Sequence, residues 1–155
     1  MAQMTSDVGG SVSSPLKYLR DAARALGLKH LPASALELAD ATSNGLPSTA
    51  LTKLSGVLGL TRADLVKELG IAPRTAARLT KKKALSPPQS ERVLRLMRAF
   101  IRAADVLESP ESARRWLQES NAALGGRRPI SLLNTDLGTE LVLNELGKID
   151  HGFFA

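Results

Sequence analysis

Residues 59–107 read GLTRADLVKELGIAPRTAARLTKKKALSPPQSERVLRLMRAFIRAADVL. Thr61 precedes an apolar periodic run, and Asp64 follows it by three positions, which is a capping pattern that begins many helices. Gly70 is expected to end this helix because a tight turn needs a residue that tolerates positive φ. Pro73 suits the first turn of a second helix. The stretch therefore predicts a helix-turn-helix.

The outer face of that second helix is rich in cationic and hydroxyl side chains. Such side chains at the start of a helix can reach base edges and phosphates in a DNA major groove. Ordinary helical hairpins imitate the pattern, but residues 62–102 carry eleven basic and three acidic side chains, which favours a polyanion partner. The predicted DNA-binding residues are Arg74, Thr75, Arg78, Lys81, Lys82 and Lys83.

A long helix is predicted to follow, because Ser86 can cap it and Pro87 fits its first turn. Arg95, Arg98 and Arg102 fall three and four positions apart, so they share one face of this helix. Two interpretations of that face stay open: a ridge that contacts phosphates or a partner, and an ordinary solvated surface.

The preceding segment, residues 15–58, is predicted to be helical, but the sequence assigns residues 15–45 no role beyond core or interface helices. Thr42 to Gly45 is predicted to form a turn from its polar and glycine content, and Ser48 is expected to cap the helix that follows. Residues 1–14 are polar and rich in Gly and Ser, which predicts a disordered tail.

The composition predicts an all-α protein. Of 155 residues 43% are hydrophobic but only 3% are aromatic, so the core must be built from Leu, Ala, Val and Ile, with Ala and Leu favouring helices. There is no cysteine, which excludes disulfides and cysteine-based metal sites and fits a cytoplasmic protein. The first residues lack a basic start and an apolar stretch, so no signal peptide is expected, and the absence of a run of about 18 apolar residues predicts no transmembrane helix.

Residues 113–152 read ARRWLQESNAALGGRRPISLLNTDLGTELVLNELGKIDHG. Trp116 is expected to anchor the core, and the pair at 125–126 predicts a flexible bend that presents Arg127 and Arg128. Thr135 is expected to cap a final helix, and Gly138 in its first turn indicates close packing against another backbone.

The final helix is predicted to present an apolar stripe with room for a partner. Its members are Leu137, Leu141, Val142, Glu145 and Ile149. Phe153 and Phe154 near the end of the sequence are hard to bury in so small a protein, so we interpret them as a partner-binding element. The alternative is that they fold back onto the core.

The order of Trp116, Gly125–Gly126, Pro129, Leu132–Leu133, Thr135, Gly138 and His151–Gly152 resembles the toxin-binding domain of the Xre/MbcA/ParS antitoxins, type II antitoxins that partner RES-domain toxins. The resemblance implies an Xre-like helix-turn-helix bundle at residues 15–107, which binds operator DNA and dimerises, and a small helical toxin-binding domain at 108–155. It implies no cofactor. RES toxins are related to ADP-ribosyltransferases and act on NAD, so the antitoxin's terminal segment would block the toxin's active site. The implied toxin-binding residues are Arg127, Arg128, Leu141, Glu145, Ile149, His151, Gly152, Phe153 and Phe154.

Two other classes of function are weighed against an antitoxin. A one-component Xre-type regulator would use its C-terminal domain only to dimerise. An enzyme would need a nucleophile with its base, or a metal set. The two histidines, His30 and His151, are far apart in sequence and lack ligand spacing, so catalysis is not expected.

Overall fold

The computed structural model describes residues 15–79 and 83–152, and this part of the chain is helical without a named strand. The all-α prediction is confirmed; the tail predicted at 1–14 lies outside the described residues. The helices are α1 (Pro15–Ala25), α2 (Ala35–Asn44), α3 (Thr49–Leu58), α4 (Arg62–Glu68), α5 (Pro73–Arg78), α6 (Pro87–Val106), α7 (Pro110–Gln118), α8 (Pro129–Leu132) and α9 (Asp136–Asp150), with a short 3₁₀ turn at Ala122–Leu124.

Side-chain caps fix the starts of the helices that matter for function. The Thr61 hydroxyl accepts a hydrogen bond from the Asp64 amide at the start of α4, and Thr135 does the same for Gly138 in α9. Ser86 and Gln89 form a reciprocal capping box at the start of α6. These three predicted helix starts are confirmed.

Two local predictions before α4 are wrong. Helix α2 continues through Thr42 to Asn44, because the buried Thr42 hydroxyl donates to the carbonyl oxygens of Leu38 and Ala39 and so does not compete with the helix. Helix α3 begins after Ser48 as expected, yet the Ser48 side chain makes no cap hydrogen bond there.

Helix α6 is the central helix of the packing, because it contacts α1, α2 and α3, which precede it, and α7 and α9, which follow it. Its inward face carries Val93, Leu96, Met97, Phe100 and Ala103, all buried. One hydrophobic cluster therefore runs through both predicted modules. Its members include Leu54, Leu65 and Leu69 before α6 and Leu117, Ile130, Val142 and Leu146 after it.

The predicted close approach at Gly138 is present. A Cβ atom built on Gly138 would lie 2.0 Å from the Leu132 carbonyl oxygen, which leaves no room for any side chain. Helix α9 can therefore pack directly against the backbone at the end of α8, and Leu133, the next residue along the chain, is buried. Trp116 is partly buried and packs against the core, as expected of an anchor.

Arg95, Arg98 and Arg102 of α6 do not share one role. They form neither a ridge free to contact phosphates or a partner nor an ordinary solvated surface. Arg95 binds the Asp136 carboxylate at the start of α9, and Arg102 Nη2 lies 2.8 Å from Asp150 Oδ2 at its end. These two cations thus hold α9 along α6. Arg98 lies between them, partly buried, where burial lowers its pKa below the ordinary value and the nearby Arg95 charge adds to the effect.

No helix within residues 15–79 or 83–152 is long and apolar enough to cross a membrane.

Candidate DNA-binding and partner-binding surfaces

Helices α4 and α5 form the predicted helix-turn-helix. Gly70 takes a φ of +64° directly after α4, and the Ile71 amide donates to the Val66 carbonyl oxygen at 3.0 Å, which closes the helix end. Ile71 is buried, whereas α5 has no fully buried residue. Helix α5 thus rests on the core through the partly buried Ala76 and Leu79 and leaves its remaining surface open.

The predicted DNA-binding residues within the described chain lie on this open surface. Arg74, Thr75 and Arg78 are exposed along α5, and Lys83 is exposed in the segment that leads to α6. Lys81 and Lys82 lie outside the described residues. The Ser48 amide donates to the Lys83 carbonyl oxygen at 3.0 Å, so the chain after α5 returns to the start of α3.

Sequence reasoning missed a concave surface beside α5. It is a cleft of about 320 Å³ in which Thr49, Thr52 and Arg62 face Ala76 and Ala77. The Arg62 guanidinium also donates to the Leu79 carbonyl oxygen at 3.5 Å, at the end of α5. Only the fold brings the start of α3 to α5, so no local spacing could have identified these hydroxyl groups.

Helix α9 presents a narrower apolar face than the sequence indicated. Leu137 is 68% exposed and Leu141 is 47% exposed, and both stand one helical turn apart. Val142 was predicted on the same stripe, but it is fully buried because that side of α9 faces α6. The exposed apolar surface is therefore centred on two leucines.

The rest of the predicted stripe contributes less open surface. The Glu145 side chain is only 15% exposed, and its carboxylate lies 3.6 Å from Lys148 Nζ. Ile149 is partly buried. Both residues thus belong to the edge of the exposed apolar face rather than to its centre.

The end of α9 is closed by backbone hydrogen bonds. The His151 amide donates to the Gly147 carbonyl oxygen at 3.0 Å, and the Gly152 amide donates to that of Ile149 at 3.1 Å. Gly152 takes a φ of +63°, which turns the chain away from the helix axis. His151 and Gly152 are exposed; Phe153 and Phe154 lie outside the described residues.

The predicted bend before α8 is present as a hydrogen-bonded turn. Gly125 and Gly126 take φ values of +68° and +77°, and the Asn121 amide donates to the Arg127 carbonyl oxygen at 3.0 Å. Arg127 is exposed. Arg128 instead binds Glu68 of α4, with Nη2 2.6 Å from Oε1, so this loop is tied to the helix-turn-helix.

The chain matches two family descriptions in succession. Residues 37–98 match the antitoxin Xre-like helix-turn-helix domain, and residues 102–152 match the antitoxin Xre/MbcA/ParS C-terminal toxin-binding domain. The chain belongs to the Xre/MbcA/ParS antitoxin family. Among curated proteins it is similar to "Antitoxin Xre" of Yersinia enterocolitica serotype O:8 / biotype 1B (strain NCTC 13174 / 8081), with 34% identity over 70 residues.

That similarity covers 44% of this chain and 47% of the Yersinia protein, so the match spans about half of the relative's length. The two Xre/MbcA/ParS family matches meet within α6, the helix that contacts α1, α2 and α3 before it and α7 and α9 after it. Helix α1 lies outside both of them.

Proposed function

We propose that this chain is the antitoxin of a type II toxin–antitoxin system, which binds and neutralises a RES-domain toxin and represses its own operon. One observation carries the proposal. The segment that matches a toxin-binding domain, residues 102–152, contains the helix whose Leu137 and Leu141 stand exposed with no described residue covering them. The protein would act in the cytoplasm, as a homodimer within a larger complex with the toxin.

The proposed inhibition is steric. The two exposed leucines of α9 would dock on the toxin, with Arg127, Glu145 and Ile149 at the edge of the contact. The terminal segment, His151 to Phe154, would then occupy the toxin's NAD cleft and exclude the nucleotide. Apolar burial would supply the main favourable contribution, about 25 cal/mol per Å² of surface removed from water, from which the costs of association are subtracted.

The docking surface is tested by placing a charge at its centre. Leu141→Asp is expected to weaken toxin binding by about tenfold or more, because the carboxylate would lose its hydration in an apolar contact. Leu36→Asp is the matched control, since Leu36 is 72% exposed on α2, outside the toxin-binding match. Calorimetric titration of the toxin with each variant measures the effect. Equal affinities for the two variants would exclude this face of α9 as the contact.

The blocking element is tested separately from the docking surface. A chain that ends at Gly152 is expected to bind the toxin yet allow NAD consumption to resume, because the helix face remains while the phenylalanines are absent. NAD turnover by the saturated complex is the measurement. If the shortened chain inhibits as completely as the full one, residues 153–155 do not block the active site.

Operator binding is proposed to use the exposed residues of α5, with the lysines at 81–83 on phosphates. Arg78→Ala is expected to weaken binding and to lower the slope of log K against log salt by about one, since each phosphate contact releases condensed counterions. Arg20→Ala, at an exposed position on α1, is the control. If Arg78→Ala leaves the salt slope unchanged, Arg78 does not contact a phosphate of the operator.

The alternative function is that of a one-component regulator, which would bind operator DNA but no toxin.

A further inference from the structure

Helix α1 has no role in the function proposed so far, and it lies outside both family matches. It packs against α6, and Ala22 of this helix and Leu26 directly after it belong to the hydrophobic core. Tyr18 lies one turn before Ala22 and is only partly buried. It is the one tyrosine in the sequence, and it reaches the far end of α6 rather than the core.

Tyr18 belongs to a chain of polar contacts that ends on α9. Its hydroxyl donates to Asp105 Oδ2 at 2.6 Å and accepts from Arg102 Nη1 at 2.9 Å. The Arg102 guanidinium also lies over the Tyr18 ring, with Cζ 5.4 Å from the ring centroid. The other terminal nitrogen of Arg102 donates to Asp150 Oδ2 at 2.8 Å.

These contacts fix the charge and the direction of the Arg102 guanidinium. Burial disfavours the charged form, but the hydrogen bonds and charge interactions with Asp150 and Tyr18 together outweigh it, so the pKa of Arg102 is raised above its ordinary value. A guanidinium bound by both of its terminal nitrogens has little freedom to rotate. Arg102 therefore presents a fixed donor to Asp150.

Asp150 is the last residue of α9, and the exposed His151 and Gly152 follow it directly. An ion pair at Asp150 consequently sets where α9 ends relative to α6. It also sets the position of Gly152, to which the proposed blocking element, residues 153–155, is joined. A helix end without such a contact frays readily, because its last carbonyl groups have no partners within the helix.

We propose that α1 is a brace for the toxin-blocking terminus, with Tyr18 as a positioning residue that acts through Arg102 and Asp150. The inference rests on the proposed function, in which residues after Asp150 enter the toxin's active site. Tyr18 touches neither the toxin nor the nucleotide in this arrangement. It raises the effective concentration of the blocking segment by holding its point of departure.

The first test needs no toxin. Tyr18→Phe removes the hydroxyl and keeps the ring, so the packing of α1 on α6 is retained. We expect the His151 and Gly152 amides to exchange with solvent about three- to tenfold faster, the factor for one lost hydrogen bond. The Ile71 amide, which closes α4, should be unchanged. Arg20→Gln on the exposed side of α1 is the matched control and should change neither. Unchanged exchange at 151–152, or equal acceleration at Ile71, overturns the proposal.

The second test separates positioning from general stability by combining two changes. In the full chain, Tyr18→Phe is expected to weaken toxin affinity by about three- to tenfold. In a chain that ends at Gly152, the same substitution is expected to have no effect, because the braced segment is missing. Equal loss in both backgrounds, or no loss in the full chain, overturns the proposal. If the unaltered chain binds no RES toxin, the proposed function fails, while the exchange measurement still decides whether α1 holds the end of α9.

Discussion

Gly138 and Gly147 lie in the same helix, α9, but differ in their surroundings. A Cβ at Gly138 would meet the backbone oxygen of Leu132 at 2.0 Å, whereas one at Gly147 would meet nothing within 4 Å. Gly138→Ala is therefore expected to destabilise the protein by more than about 2 kcal/mol, since α8 and α9 must move apart. Gly147→Ala is expected to stabilise it by about 0.5–1 kcal/mol, because alanine favours a helix.

Urea unfolding of both variants measures the contrast. The two alanines share a helix and a chemistry, so any difference between them reports only the space around each glycine. A loss of stability below about 0.5 kcal/mol for Gly138→Ala would mean that α8 and α9 separate easily, contrary to the close packing described above.

At the level of single residues, the sequence correctly predicted those features that depend on residues a few positions away, such as helix caps. A glycine in the first turn of a helix was correctly interpreted as a close backbone approach, and Thr61, Ser86 and Thr135 cap partners only three positions away. The α9 partners of Arg95 and Arg102 lie 41 and 48 positions away, and no local pattern specifies them. For this reason the α6 arginines could not be assigned before the fold was known.

At the level of elements, the loop before α8 is joined to α4 by the pair of Arg128 and Glu68. The Glu68 side chain is 16% exposed, so loss of its cation leaves a largely buried carboxylate. We expect Arg128→Ala to cost about 1 kcal/mol of stability, a value reduced by the partial exposure of the arginine. Arg127→Ala, at the exposed neighbouring position, should leave stability unchanged and weaken toxin binding.

Thermal unfolding and toxin titration of the two variants distinguish the roles of adjacent arginines that look equivalent in sequence. If Arg127→Ala destabilises the protein as much as Arg128→Ala, the ion pair with α4 has no specific importance.

The elements themselves were largely predictable, since caps, glycines and prolines mark their ends. The exception is α2, where the buried Thr42 hydroxyl bonds back into the helix and a polar segment continues as helix instead of turning.

On the scale of the whole molecule, the sequence predicted the fold class and the order of the two modules, but not how they are joined. The basic segment was interpreted from charge alone as facing a polyanion. In the structure part of that charge, on α6, is neutralised by Asp136 and Asp150 of α9, while the charge on α5 stays exposed. The exposed face of α9 was likewise only partly predictable. Leu141 is exposed and Val142 is buried, and this difference depends on which side of α9 faces α6.

The central position of α6 has a consequence for how such proteins can diversify. Both sides of the molecule bury side chains against this one helix, and the two family matches adjoin within it, at residues 98 and 102. A chimaera that took its C-terminal portion from a relative at a junction after residue 107 would face a foreign α6. A junction before Pro87 would carry α6 along with Asp136 and Asp150, the α9 partners of Arg95 and Arg102, but would place the helix against a foreign α1, α2 and α3. At either junction α6 meets foreign helices, so recombination that changes which toxin is recognised should also require matching changes in the residues that contact α6.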